Sequence, residues 1–151
     1  MKKLFTLLLT LVMLITLSGC GTKMAIKTEE FIEKAENNGY LVTDLTAIYI
    51  EDEEIKEATI ATSEGWEITF YILDTEENAI ARYQNNQSSF ENSKDSTNSE
   101  TKVDMKNYNT YTLNSNGSYK YLCRVDNTLL YVDVEETYKD EVKSFITELG
   151  Y

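Results

Sequence analysis

The chain has 151 residues, one domain's worth, and sets 26 acidic against 14 basic side chains for a net charge of -12, with no histidine at all. Such a surplus repels a phosphate backbone, which argues against a nucleic-acid partner, and without imidazole a Ser-His-Asp triad and nearly every catalytic zinc site lack their base or ligand. At 42% hydrophobic residues the chain still has the apolar surface for a core, so its acidity does not signal disorder.

Lys2 and Lys3 precede an uncharged run from Leu4 to Leu17. About fourteen residues suit the apolar core of an export signal and fall short of the ~20 that a spanning helix needs. The run ends Leu17-Ser18-Gly19-Cys20, where an ordinary secretory signal would carry a small-x-small cleavage site. In that setting the tetrapeptide resembles the lipobox of bacterial lipoprotein precursors. The resemblance implies that residues 1–19 are a signal peptide that is removed, and that the Cys20 sulfur carries a diacylglycerol while the new amino terminus is acylated. It also implies a location on the extracytoplasmic face of the cell membrane, with the membrane bound through the lipid on Cys20. Residues 20–27 then read as the lipidated cysteine and a flexible tether of ~15 Å reach. The lost signal removes two positive charges and no negative ones, so the mature chain is more acidic still.

Thr28-Glu29-Glu30-Phe31-Ile32 opens a short helix with a hydroxyl cap and early acids, and Gly39 closes it. A hairpin follows, from Ala58 to Ser63, around Glu64-Gly65, and back along Trp66 to Leu73 with strict alternation. Asp74-Thr75-Glu76-Glu77 opens a second helix through Ala79, Ile80 and Tyr83. From about 86 to 105 the residues are almost wholly polar, and the composition predicts a mobile loop. Strands then run around Tyr108 to Leu113, Tyr119 to Val125 and Thr128 to Asp133, joined by turns at Asn116-Gly117 and Asp126-Asn127. Tyr138, Val142, Phe145, Ile146 and Leu149 recur at helical spacing and predict a final helix ended by Gly150. The expected fold is one α+β domain over 28–151: an antiparallel sheet of about five to six strands, helices packed on one face, in the order helix, strands, helix, strands, helix.

Counting back from Asp126-Asn127 pairs Val125 with Thr128, Cys123 with Leu130, Tyr121 with Val132 and Tyr119 with Val134 on a core face, leaving Arg124, Leu122 and Lys120 opposite Leu129, Tyr131 and Asp133 on the other. Cys123 falls in the middle of the core face, where a thiol without a histidine base is inert. Glu51-Asp52-Glu53-Glu54 is oxygen-rich, but it lacks the alternating acids and central glycine of a calcium loop and reads as solvated charge. Counting the first hairpin the same way puts Ile60, Thr69 and Tyr71 beside Leu122, Leu129 and Tyr131. With helices on one face only, Ile60, Tyr71, Leu122, Leu129 and Tyr131 would form an exposed apolar interaction face. The function expected is a non-enzymatic, acidic display domain for an envelope protein or a small ligand, with no cofactor, no metal and no catalytic residue. The alternatives are a cell-envelope hydrolase working through carboxylates and a weak divalent-cation binding module.

Overall fold

A computed structural model describes residues 22–49 and 51–151. Residues 1–19, expected to be a signal peptide, and Cys20 lie outside the described residues. Helix α1 spans Thr28–Asn37, followed by strand β1 (Leu41–Asp44), a 3-10 turn at Thr46–Tyr49, and strands β2 (Ile55–Ser63) and β3 (Trp66–Leu73). Helix α2 covers Glu76–Asn92, then come β4 (Asn98–Asp104), β5 (Tyr108–Ser115), β6 (Ser118–Val125), β7 (Thr128–Glu135), a 3-10 turn and α3 (Lys139–Leu149). All seven strands join one sheet in the order β1-β2-β3-β7-β6-β5-β4, and every pairing is antiparallel. Two meanders are thus stitched together where β7 returns beside β3, with α2 as the connection between them. Among the described residues no helix is long and apolar enough to cross a membrane.

The turns carry the register. Gly65 takes φ +89° in the first hairpin, where a Cβ would strike the Tyr138 ring. Ser63 then faces Trp66 and Ala61 faces Ile68, as counting from the turn requires. Asn116 and Gly117 both have positive φ, and Asp126 has φ +49°. The resulting β6–β7 register pairs Cys123 with Leu130, Leu122 with Tyr131, and Lys120 with Asp133, whose side chains meet at 2.6 Å.

Five expectations need correction. The sheet has seven strands rather than five to six, because β1 and β4 close its two edges. Every residue of β4 is exposed, so main-chain pairing with β5 builds this strand and no apolar alternation marks it. The loop expected at about 86–105 is instead the end of α2, a short link and β4. Buried Phe90 seats the last turns of the helix, and Ser115 Oγ both donates to Asp95 Oδ1 at 2.9 Å and accepts from the Asp95 amide at 3.0 Å.

Helices also cover both faces rather than one. On the first, Phe31 of α1 stacks on Phe70 with centroids 5.1 Å apart, and Tyr40 packs edge-on against Trp66 and against Phe145 of α3. On the second, Ala79, Tyr83 and Phe90 of α2 close over Ala58, Leu73, Tyr111, Leu113, Leu122 and Leu129. Apolar residues on both sides of β6 and β7 are what a sheet buried on two faces requires.

Finally, the tether of residues 20–27 is docked from Lys23 onward. Lys23 Nζ donates to Gly150 O at 3.0 Å, Asn107 Nδ2 donates to Lys23 O at 2.7 Å, and Ile26 is buried in the first core. Thr28 does not cap α1 either: its hydroxyl donates to the Glu57 carboxylate, and Lys27 occupies the cap position.

Candidate ligand site

The structure brings the expected interaction face together and then covers it. Leu122 and Leu129 are 0% exposed beneath α2, and Tyr131 packs on Phe90 with centroids 5.3 Å apart. Tyr71 meets Tyr49 edge-on at 5.8 Å with the hydroxyls 3.3 Å apart, and the Arg82 guanidinium lies over its ring. Ile60 is half-buried on β2. Tyr71, Leu122, Leu129 and Tyr131 thus belong to the second core and not to a free surface, because α2 crosses the face that its own apolar side chains complement, while Ile60 lies outside that cluster.

Cys123 is fully buried, and burial pushes its thiol up to about 11, so the reactive thiolate is scarce at neutral pH. In the acidic loop the Asp52 carboxylate is paired with Arg82 and accepts the Glu54 amide, so one of the four acids already serves the fold. Among the described residues no three Cys, Asp or Glu side chains converge to hold a metal ion. Asp44 and Glu100 hold their protons more weakly than usual, Asp44 through hydrogen bonds from Thr46 and Glu100 through one from Lys94. That is the opposite direction from a general acid.

A different position draws charge inward. Arg124 of β6 points to the α2 side and is only 1% exposed. Burying a guanidinium is costly unless its donors are used, and here they are. Nε donates to Asn109 Oδ1 at 2.6 Å, while Nη1 donates to Glu76 Oε1 and to Asp126 O, each at 3.0 Å. Two local features present these acceptors: Thr75 caps α2 by accepting the Asn78 amide, which sets Glu76 at the first turn, and the Asp126 turn aims its carbonyl back along β6. The network extends outward as Asn109 Nδ2 donates to Asp104 Oδ1 at 2.9 Å and Lys102 Nζ approaches Asp104 Oδ2 at 3.3 Å.

Beside this network lies a cavity of about 320 Å³, with Tyr83, Gln84, Lys102, Asp104, Lys106 and Arg124 in its walls. It is at the lower end of the ~300–1,000 Å³ that small-molecule sites occupy. Nη2 of Arg124 makes no hydrogen bond among the described residues, and the buried Tyr83 hydroxyl has no partner there either. Burial, reinforced by Asp104, pushes the Tyr83 hydroxyl well above its ordinary range, so it remains a donor. Three cations and a neutral donor thus face one lining carboxylate on a chain that is strongly acidic elsewhere. This is a place to receive negative charge.

Comparison with protein-family models and with curated proteins finds no match. Among solved structures, the chain is similar to a GTP binding regulator from Thermotoga maritima, with a TM-score of 0.48 and 17% identity over 83% of this chain and 85% of that one.

The register already put Arg124 opposite Leu129, on a face rich in Leu and Tyr. A lone arginine at an inward position between Leu122 and Val125 was the available signal, and its partners Asn109 and Glu76 are too distant in sequence to be read from it. Its structural weight is measurable. Arg124→Met should lower stability by about 2–6 kcal/mol, because Asn109 Oδ1 and Asp126 O would each lose a buried donor at ~1–3 kcal/mol. Glu76→Gln should change it by about 1 kcal/mol or less, since that carboxylate is 48% exposed and screened. Urea unfolding midpoints of the two variants check the contrast, and equal losses would show that the ion pair dominates rather than the buried neutral acceptors.

Proposed function

We propose that this chain is a lipoprotein anchored on the extracytoplasmic face of the cell membrane whose folded part is a non-enzymatic binding domain, taking a small carboxylate- or phosphate-bearing ligand in the Arg124 cavity. The anchor reading is supported by the Leu17-Ser18-Gly19-Cys20 resemblance behind a short apolar run. The ligand reading is carried by the Arg124 guanidinium in the cavity wall, whose Nε and Nη1 alone are hydrogen-bonded among the described residues, beside a buried tyrosine hydroxyl with no partner among them. Arginine stays charged at any ordinary pH, and Tyr83 holds its proton firmly, so both recognise charge without exchanging protons near neutrality. That favours binding over acid–base catalysis.

Calorimetric titration with inorganic phosphate and with citrate tests the site. Tyr83→Phe and Lys106→Glu should each weaken the tighter of the two by about 10-fold or more, as expected when a hydrogen bond to a charged group worth ~1.5–3 kcal/mol is lost. Lys143→Glu, on the opposite face in the wall of a separate 420 Å³ cleft, should leave it unchanged. Absence of binding by either anion at millimolar concentration, or equal weakening by all three variants, would refute the assignment.

A further inference from the structure

We infer that in the anchored protein the end of the domain carrying Met24 and Met105 rests on the bilayer, with both side chains among the lipid headgroups. This rests on the lipid anchor at Cys20. The docked segment begins at Lys23, so only Gly21 and Thr22 separate it from the lipid-bearing cysteine, and three extended Cα–Cα steps span only about 10 Å. Lys23 is held from two sides, by its own ammonium on Gly150 O and by Asn107 on its carbonyl. The β4–β5 turn, the end of α3 and the anchor therefore share one end of the molecule, and the domain has little freedom to present any other end to the membrane.

What that end exposes suits a lipid surface. Of the chain's four methionines, two precede Cys20, and the other two are among its few exposed large apolar side chains: Met24 at 85% and Met105 at 40%. They flank the same Asn107–Lys23 hydrogen bond. Flexible thioether side chains adapt to an irregular apolar medium, and Lys23, next to Met24, adds a positive charge that anionic headgroups attract, while Met105 also lines the rim of the Arg124 cavity. Asp104 at this end is engaged by Lys102 and Asn109. Asp126, whose amide donates to Asn107 O, and Asp74, Glu54, Glu76 and Glu77 share the same sheet end, so the contact rests on the short tether and the thioethers and not on net charge. Leu41, also exposed, lies at the opposite end of the sheet, where its partner Thr62 adjoins the Glu64-Gly65 turn.

The test uses the full lipidated chain reconstituted in vesicles of phosphatidylglycerol and phosphatidylethanolamine. Met24→Cys, Met105→Cys and Leu41→Cys are each labelled with an environment-sensitive fluorophore, since buried Cys123 escapes the reagent. Co-sedimentation reads the anchor, and quenching reads the orientation. Labels at 24 and 105 should be quenched by spin-labelled lipid and shielded at least fivefold from an aqueous quencher relative to the label at 41. Vesicle-bound protein whose three labels are equally open to the aqueous quencher would overturn the orientation and leave the anchor standing. Protein that fails to sediment with the vesicles would overturn both.

Discussion

Cys20→Ser is expected to abolish membrane attachment of the mature protein completely, leaving either a soluble cut form or an uncut precursor that is heavier by its signal peptide. The magnitude follows from the anchor. Each buried methylene contributes ~0.8 kcal/mol, so two or three acyl chains hold a protein stably where one alone is marginal. Without them the remaining attraction is that of a few lysines such as Lys23 and Lys27 at ~1 kcal/mol each, set against a domain whose net charge is strongly negative. Fractionation combined with metabolic incorporation of labelled palmitate reads the outcome, since wild type should label and the variant should not. A cut form of Cys20→Ser that stays with the membranes would contradict the lipobox reading.

Phe90→Ala is expected to cost about 3–5 kcal/mol, as for other large aromatic side chains truncated in a core. The ring is buried between Tyr131, at 5.3 Å, and the Lys120 ammonium, which sits over its face at 4.8 Å. Its loss would open a void at the end of α2 and bring water toward Leu122 and Leu113 beneath. With a denaturant slope of ~1–3 kcal/mol per molar for a domain of this size, the urea midpoint should fall by roughly 1–5 M. Hydrogen exchange should accelerate first across the C-terminal turns of α2. A stability within about 0.5 kcal/mol of wild type would mean that residues 86–92 are the solvated segment their composition suggests, and that α2 ends before them.

The contrast between Phe90 and its neighbours shows where sequence reading stops. Gln84 to Lys102 carries a single large apolar residue, and one residue has no period, so neither the helix nor β4 announces itself. Order there is supplied from outside: the second core receives Phe90, and the β5 backbone receives β4. The hairpin registers were legible because Glu64-Gly65 and Asp126-Asn127 each dictate which residues face one another, and a period of two then assigns every side chain to a face. The same count put Leu122 and Leu129 on the second face, but it could not say what covers that face. The ligand site divides in the same way. The place of Arg124 on the α2 side could be read, whereas its burial and its ties to Asn109 and Glu76 could not.

By itself, then, the sequence determined an α+β chain, two of its hairpin registers, the opening of α2 at Asp74-Thr75-Glu76-Glu77 and the stop of α3 at Gly150. These are local matters, settled by turn geometry and by spacing over a few residues. Only the tertiary structure decided that α2 crosses to the far face, that an apolar patch becomes a second core, that the tether docks at Lys23, and that a buried arginine faces a cavity. Each of those depends on which surfaces meet across dozens of residues of chain, and a helix's apolar stripe does not specify which of two equally apolar sheet faces it will cover.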